Sequence, residues 1–493
     1  MSSFPLRAMA RYLAVLVLLL GALNLHGQTV TWTNQGGTGD GQWGTAANWS
    51  PAAPVFGDDV VFSSGSNYAC TAAAGTVPQN LNSITVQAGH TQTITFAANY
   101  AAGPSQTLAV ASDVTLNAGT LVLTGDALQK SFATTAVSTA ADTITITAHT
   151  LSTQDQVTLR STATLPGGIT TDQAYYARAV DANTITLHPT ALDAQNNTNI
   201  VDLTSVGSGT HYVYRQKGAV INCANFTVAS GALVHADGKG FGFLLGPGSL
   251  SGNYMAASHG GRGTSGNLPY GSATVPATLG SGSAVAGGGA IRINCPTGVL
   301  MVEGTIRANG QNTSGGNGGA GSGGSVYLVC GTWAGSGLVQ ARGGNSVNNY
   351  TGVPGGGGGR IAVSWTSSTF IGNFDCSGGT STNGSVGQPG TLSLPAGTDL
   401  TVNSGYKAGL AAGSHTLGNV TVAAGAELFF HGDWNPDGNA ATYDGIGCAL
   451  TAANFTVAAG GLVNADYDGY YPPGGPGHPG GYHSPAHGGR GSG

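Results

Sequence analysis

The densest set of ligand oxygens in the sequence is DWNPDGNAATYD. In it Asp433, Asn435, Asp437, Gly438 and Asp444 occupy positions 1, 3, 5, 6 and 12 of a DxNxDG calcium loop. A hard cation needs several oxygens close together and a glycine where the loop turns sharply, and this spacing supplies both. Position 12 is aspartate rather than the longer glutamate that reaches the ion with both oxygens, and no flanking helices are predicted. A polar turn bent by Pro436 and Gly438 competes with the metal site and outweighs it. Calcium is the one cofactor the sequence offers.

Other reactive types are thinly spread. Trp32, Trp43 and Trp49 are half of the six tryptophans; such a cluster either stacks on sugars or closes the open end of a stacked fold, and the second reading is preferred. His478, His483 and His487 lie in a glycine-rich tail without metal-ligand spacing. The glycine runs lack GxxxxGK[ST], which excludes a phosphate loop. Glu303 and Asp375 are the acids of the best-defined repeats, and they fall on different columns and different copies, whereas glycoside or lyase chemistry needs its groups together. No catalytic residue is assigned. Six cysteines, at 70, 223, 295, 330, 376 and 448, show no CxxC spacing. Cys295 and Cys330 share a predicted inward column, where stacked thiols are preferred over a disulfide.

These residues must be carried by a repeat. GGGAIRINC from Gly287, GGSVYLVC from Gly323 and GGRIAVSW from Gly358 place Ala290, Ser325 and Arg360 at a step of 35 residues (325 − 290 and 360 − 325). A second half-unit follows in each copy: GTIRANG from Gly304, GLVQARG from Gly337 and GNFDCSG from Gly372. Period-2 alternation predicts strands. The inward columns are Ile291/Val326/Ile361, Ile293/Leu328/Val363, Cys295/Cys330/Trp365, Ile306/Val339/Phe374 and Ala308/Ala341/Cys376. The outward ones are Arg292/Tyr327/Ala362 and Arg307/Gln340/Asp375. A fixed period with short strands predicts an all-β fold, a parallel β-solenoid whose turns bury their faces against one another. The glycine-rich surplus of each unit is expected to leave the core as loops on one side of the coil.

Composition agrees with an ordered β protein: 493 residues, 85 glycines, 40% apolar and 7% charged residues against about a quarter in an average globular chain. The net charge of −6 is spread without basic runs, which excludes a nucleic-acid partner. Residues 1–27 combine Arg7 and Arg11 with the short apolar run YLAVLVLLLGAL and small residues, an export signal; no stretch is long enough to span a membrane. The expected location is secreted or cell-surface. Residues 28–80 form the tryptophan-rich N-terminal cap and 81–125 the first rungs. Residues 126–217, poorer in glycine and richer in tyrosine and charge, form an inserted β-module displayed from the coil. Glycine-rich repeats fill 218–400. Within 401–493, LTAANFTVAAGGLVNADYDG repeats CANFTVASGALVHADG at an offset of 229 (454 − 225), the start of a second super-repeat and the mark of a fragment of a longer protein.

Three stretches carry resemblances. Residues 32–62 resemble the WxxxGdgxWxxaaNWsxxxxPxxGDDVvF segment that opens many large bacterial surface proteins, autotransporter-like ones included. The module resembles one that recurs in phage structural and bacterial surface proteins, labelled by its likeness to the first catalytic-cysteine half domain of ubiquitin-activating enzymes; it holds no cysteine. HGGRG, YGSATVP, GGGAIRI and GGGGGRIAV, within 218–379, are similar to a glycine-rich repeat family of large secreted, adhesin-like bacterial proteins. The resemblance implies a surface structural or adhesin role without catalysis, with extracellular glycans or cell-surface components as partners. The alternatives are a carbohydrate-active β-helix enzyme and a carbohydrate-binding module using the three tryptophans.

Overall fold

The computed structural model describes residues 27–99, 106–249, 255–263, 268–315, 318–347, 352–433 and 445–466. Among them the chain is nearly all β, and the one α-helix is Ala191–Asn196. Two long sheets carry the repeats. The first runs from Thr29–Trp32 through Asp59–Phe62, Ser83–Val86, Asp113–Leu116, Asn225–Val228, Ala290–Val302, Ser325–Ala334 and Arg360–Ser364 to Thr391–Ser393, every neighbour parallel. The second runs in parallel from Cys70–Ala72 through Thr93–Phe96, Thr120–Leu123, Leu233–His235, Thr305–Arg307 and Leu338–Gln340 to Asn373–Asp375. Parallel pairing therefore starts at Thr29, well before residue 81. The short strand Trp49–Ser50 pairs antiparallel with Thr29–Trp32 at the end of the first sheet.

Register follows the repeat. Ile291, Val326 and Ile361 are successive partners, as are Ile293, Leu328 and Val363, and none is more than 4% exposed. Alternation of β-branched and polar side chains on a pleated strand places one set inside. Cys295, Cys330, Ile306, Val339, Ala308, Ala341 and Cys376 are buried as well, while Trp365 and Phe374 are partly buried against the same core. Two residues expected outward are buried. Ala362 is a small side chain between Tyr327 and Ser393 on the adjoining strands, and Asp375 is engaged by Gln340, Arg342 and Ser377.

Trp32, Trp43 and Trp49 are at most 4% exposed and pack edge-on against one another, with Phe62 and Phe96 beside them. Buried indoles cannot stack on a sugar, so the binding-module reading that used these three is corrected. Asp58 of the GDD motif, 2% exposed, accepts from the backbone N–H of Gln28 (3.0 Å) and Val55 (2.8 Å), pinning the first strand to the second.

The glycine-rich stretches depart furthest from expectation. They are not loops outside the core but a buried layer of extended backbone. Gly288 donates to the Ser322 carbonyl, Gly323 to Gly357 and Gly358 to Gln388, each at 2.9 Å, while Gly356 donates sideways to Gly344 and Gly379 to Gly356. A Cβ on Gly359 would lie 2.1 Å from the Gly324 oxygen, and one on Gly379 would lie 1.8 Å from the Gly344 oxygen. Both pairs are 35 apart (359 − 324 and 379 − 344). Here the hydrogen that replaces Cβ faces a neighbouring carbonyl, a Cα–H···O contact repeated at each step. Only glycine lets backbones approach this closely.

The HGGRG segment belongs to this layer. Gly260 and Gly261 both donate to the Gly358 carbonyl at 2.9 Å, and Gln388 donates to the Arg262 carbonyl at 2.8 Å. His259 is fully buried; its Nδ1–H donates to the Gly323 carbonyl (2.9 Å), and Nε2 accepts from the Thr278 hydroxyl (2.8 Å). Burial, with the Arg360 guanidinium nearby, pushes its pKa down to about 3. The unfolded imidazole titrates near 6.5, so the unfolded chain binds the extra proton first as pH falls. Stability is complete above about pH 6.5 and falls by about 1.4 kcal/mol per pH unit below it, about 2 kcal/mol by pH 5. Denaturant titrations at pH 7 and pH 5 check this: His259→Gln should lose less than wild type between the two, and parallel losses would assign the dependence elsewhere.

The inserted stretch forms its own antiparallel sheet, in the order Asp126–Ala133, Thr210–Lys217, Asp155–Ser161, Tyr175–Ala179, Thr184–His188, Thr143–Thr145 and Val137–Ser138. Ile144, Leu159, Ile185 and Val213 are at its fully buried centre. The long ladder crosses the insertion without losing register. Asn225 is the partner of Asp113, a gap of 112, and removing the 92 residues of 126–217 leaves 20, the step that separates Leu400 from its partner Val420. The module is not simply displayed. Arg160 donates to the Pro247 carbonyl (3.0 Å) and lies 5.4 Å from the Tyr270 ring centre, Tyr214 packs edge-on against Phe241, and Gln216 accepts from the Leu279 N–H. Its polar and aromatic side chains thus rest on the glycine-rich layer.

Beyond Thr391–Ser393, two three-stranded parallel sheets continue the pattern: Leu400–Val402, Gly413–Val422 and Cys448–Val457, and Lys407–Leu410, Glu427–Phe430 and Leu462–Asn464. Gly413 pairs with Cys448 and Leu428 with Val463, again 35 apart.

Candidate functional site

In a chain with few charged residues, the outer face of the second long sheet collects them. His235, Arg307, Gln340 and Asp375 are successive register partners, because the alternation that buries Val234, Ile306 and Val339 turns their neighbours outward. Two residues beyond the end of each strand stand Asp237, Asn309, Arg342 and Ser377. The two columns form one ladder. Arg307 Nε donates to Asp237 (2.6 Å), whose other oxygen accepts from the Asn309 N–H (2.8 Å). Asn309 donates to Gln340 (3.2 Å), Gln340 to Asp375 (3.1 Å), and Arg342 Nε lies 3.5 Å from the same carboxylate. Lys407 and Glu427 add a pair at 2.6 Å further along the chain, with Asn464 donating to Glu427. Burial holds the His235 imidazole below its usual range, and its Nδ1 accepts from the Asp237 N–H.

Beside this ladder lies an open groove of about 400 Å³, edged by Leu233, Glu303, Arg307, Ser336, Asn373 and Tyr406. Its floor is the corner where each copy turns toward the second sheet. Gly304 and Gly337 stack there, and a Cβ on Gly337 would come within 2.2 Å of the Gly304 oxygen, so the corner stays bare backbone. Glu303 accepts from the N–H and hydroxyl of Ser336 (3.2 and 2.5 Å), and Asn403 donates to Asn373 (2.7 Å). A carboxylate, a guanidinium, an amide and a phenol around an open trough can exchange hydrogen bonds with a hydroxyl-rich chain, and the tyrosine adds an apolar face. The enclosed void between Phe62, Ile84, Phe96 and Leu116 has room for only about one water and is wholly apolar.

Of the residues singled out in the sequence, Asp433 is described. It exchanges backbone hydrogen bonds with Ile446 (2.8 and 2.7 Å), which brings together the two ends of the intervening segment. Asn435, Asp437, Gly438 and Asp444, and His478, His483 and His487, lie outside the described residues, as do residues 1–26 of the export signal. Among the described residues no group of three or more His, Cys, Asp or Glu could hold a metal ion, and no helix is long and apolar enough to cross a membrane. Glu303 edges the groove and Asp375 belongs to the ladder. Asp237 and Asp375 stand three strands apart, about 14 Å at about 4.8 Å per strand. The sequence placed Arg307 in an outward column with Gln340 and Asp375 but missed Asp237, Arg342, Tyr406, Lys407 and Glu427 as members of the same surface. Aligning the outward columns across all copies, beyond the three clearest, would have found the first two.

No family model and no curated protein matches the chain. Among solved structures, the chain is similar to the Gp54 tailspike of Acinetobacter baumannii bacteriophage AP22 in complex with A. baumannii capsular saccharide, at 9% identity over 76% of this chain and 71% of that chain. The TM-score is 0.13, too low to bear on fold or function.

Proposed function

We propose that the two long parallel sheets are faces of one parallel β-solenoid, and that this coil is a secreted or cell-surface scaffold, adhesin-like and without catalytic activity, whose groove contacts extracellular glycans. The observation that carries the reading is the continuous parallel pairing from Thr29 to Ser393, shifted by a bulge between Cys295 and Val299, with like residues stacked every 35 positions in the Ile291 and Ile293 columns. A stack of this kind offers a long, regular outer face for binding. The carboxylates support a non-enzymatic role. Asp237 is paired with Arg307 and Asp375 with Arg342, and their separation exceeds the roughly 5–9.5 Å that glycoside hydrolysis uses. The leader-like residues 1–27 support export.

Glycan-array binding by the purified chain tests this. Arg307→Ala and Tyr406→Ala should each weaken binding about tenfold or more; the melting curve should move little for Arg307→Ala, since a partly exposed pair adds little stability, and fall for Tyr406→Ala, whose ring also packs against the core. Binding that survives both substitutions would remove the groove from the reading. Release of reducing ends or unsaturated sugars from a polysaccharide panel would favour the carbohydrate-active enzyme instead.

A further inference from the structure

We propose that Cys223 and Cys295 are the site of one intramolecular disulfide, a covalent tie between adjacent strands at the point where the ladder resumes after the inserted module. Three thiols stand in successive positions of one column. Asn222 is the partner of Asn294 and the Cys223 N–H donates to the Asn294 carbonyl (3.0 Å), so Cys223 lies beside Cys295; Cys295 is in turn the partner of Cys330. Parallel neighbours about 4.8 Å apart fall inside the Cα range that a disulfide spans. Register alone therefore leaves Cys295 two partners.

Side-chain geometry separates them. The Cys330 thiol donates to the carbonyl of Ser364 on the following strand (3.8 Å). The thiols of Cys223 and Cys295 lie close enough to shift each other's ionisation, which pushes Cys223 up and Cys295 down. The remaining cysteines have other surroundings: Cys376 donates to the Thr391 carbonyl, Cys70 is buried in the first strands of the second sheet, and Cys448 lies on the last described strand of the first small sheet. Cys223 is only half-buried, whereas Cys295 is fully buried. An oxidant therefore meets Cys223 first.

The strand Ala219–Asn222 pairs on one side with Thr107–Ala109, from before the module, and on the other with Ala290–Val302, after the long glycine-rich excursion. A bond from Cys223 to Cys295 would close a span of 72 residues (295 − 223) that contains the HGGRG segment. It would hold that excursion in place whether or not the module remained docked.

The reaction is thiol–disulfide exchange with a low-molecular-weight disulfide, RSSR. Cys223, the thiol that RSSR can reach, loses its proton, slowly because its pKa is raised, and its sulfur attacks RSSR, forming Cys223–S–S–R and releasing one thiolate. Cys295 then loses its proton and attacks the Cys223 sulfur, forming the protein disulfide and releasing the second thiolate. The two thiolates take up the two protons. Two protein thiols are oxidised and one RSSR is reduced to two RSH. The inference rests on the extracellular reading only for the supply of such an oxidant.

The test uses the purified full chain and does not depend on where the protein resides. The native chain is equilibrated with oxidised glutathione, then denatured, alkylated and mapped by mass spectrometry. Two of the six thiols should be lost, with the Cys223 and Cys295 peptides joined. Cys330→Ser should leave this unchanged, Cys223→Ser should abolish it, and reduction should lower the melting midpoint of wild type by about 5 °C but not that of Cys223→Ser. Six free thiols after oxidation, a Cys295–Cys330 link, or glutathione retained on Cys223 would each overturn the assignment. Mapping of the wild-type chain decides the matter even if a variant folds poorly.

Discussion

Gly359→Ala is expected to destabilise the chain by about 3 kcal/mol or more, whereas Gly242→Ala should change stability by less than about 0.5 kcal/mol. The two glycines differ in what a methyl group would meet. At Gly359 the new carbon would lie 2.1 Å from the Gly324 oxygen, with further Gly323 and Gly324 backbone atoms within 2.8 Å; at Gly242 nothing lies within 4 Å. Real Cβ contacts never come so close, and the obstructing atoms are backbone, so relief requires moving a whole strand. That movement would break the Gly359 to Ala341 and Arg360 to Gly324 hydrogen bonds (2.6 and 2.8 Å). Thermal and denaturant unfolding of both variants measure the difference. If Gly359→Ala melts with wild type, the glycine layer is looser than described and no longer counts as a core.

Asp155→Ala should cost about 3–5 kcal/mol by leaving the buried Lys217 without its anion and Arg215 with one of its two. Asp155 is fully buried; one oxygen meets Lys217 Nζ at 2.7 Å and the other meets Arg215 at 3.0 Å and the Ser152 N–H at 2.9 Å. Arg215 also reaches Asp126 at 2.9 Å. Asp126 and Lys217 are register partners at the entrance and exit of the module, so this four-charge network clamps both ends of the insertion to its centre. Removing the middle carboxylate should open the module before the ladder. Limited proteolysis is expected to cut between 126 and 217 while the strands on either side stay protected. A loss below about 1 kcal/mol, or cleavage that begins in the long sheets, would show that the ends are held by strand pairing alone.

Legibility in the sequence depended on side chains that repeat. The columns headed by Ile291 and Ile306 could be read because parallel strands put like on like at steps of 35, or 33 from Ile306 to Val339, and strands alternate inside and out. The module stood out because its texture changes, although its docking through Arg160 and Tyr214 did not, since those contacts join residues far apart in the chain. The polar ladder was legible only in part: Arg307, Gln340 and Asp375 align as one outward column, but their partner His235 stands 72 residues before Arg307 (307 − 235), outside the regular step. The later 35-residue step from Gly413 to Cys448 escaped notice because the flanking residues differ.

By itself the amino-acid order determined that the chain is β, which side chains of the clearest copies point inward, and where foreign texture interrupts the repeat. Those follow from strand periodicity and from the cost of leaving apolar residues in water. Tertiary structure decided what the glycines do. A residue without a side chain leaves no pattern of polarity to read, and whether its bare backbone hangs in solvent or packs against another depends on which strands the fold brings alongside it. The same holds for the groove and for the choice between Cys223 and Cys330 as the partner of Cys295, which rest on directions in space that register alone does not set.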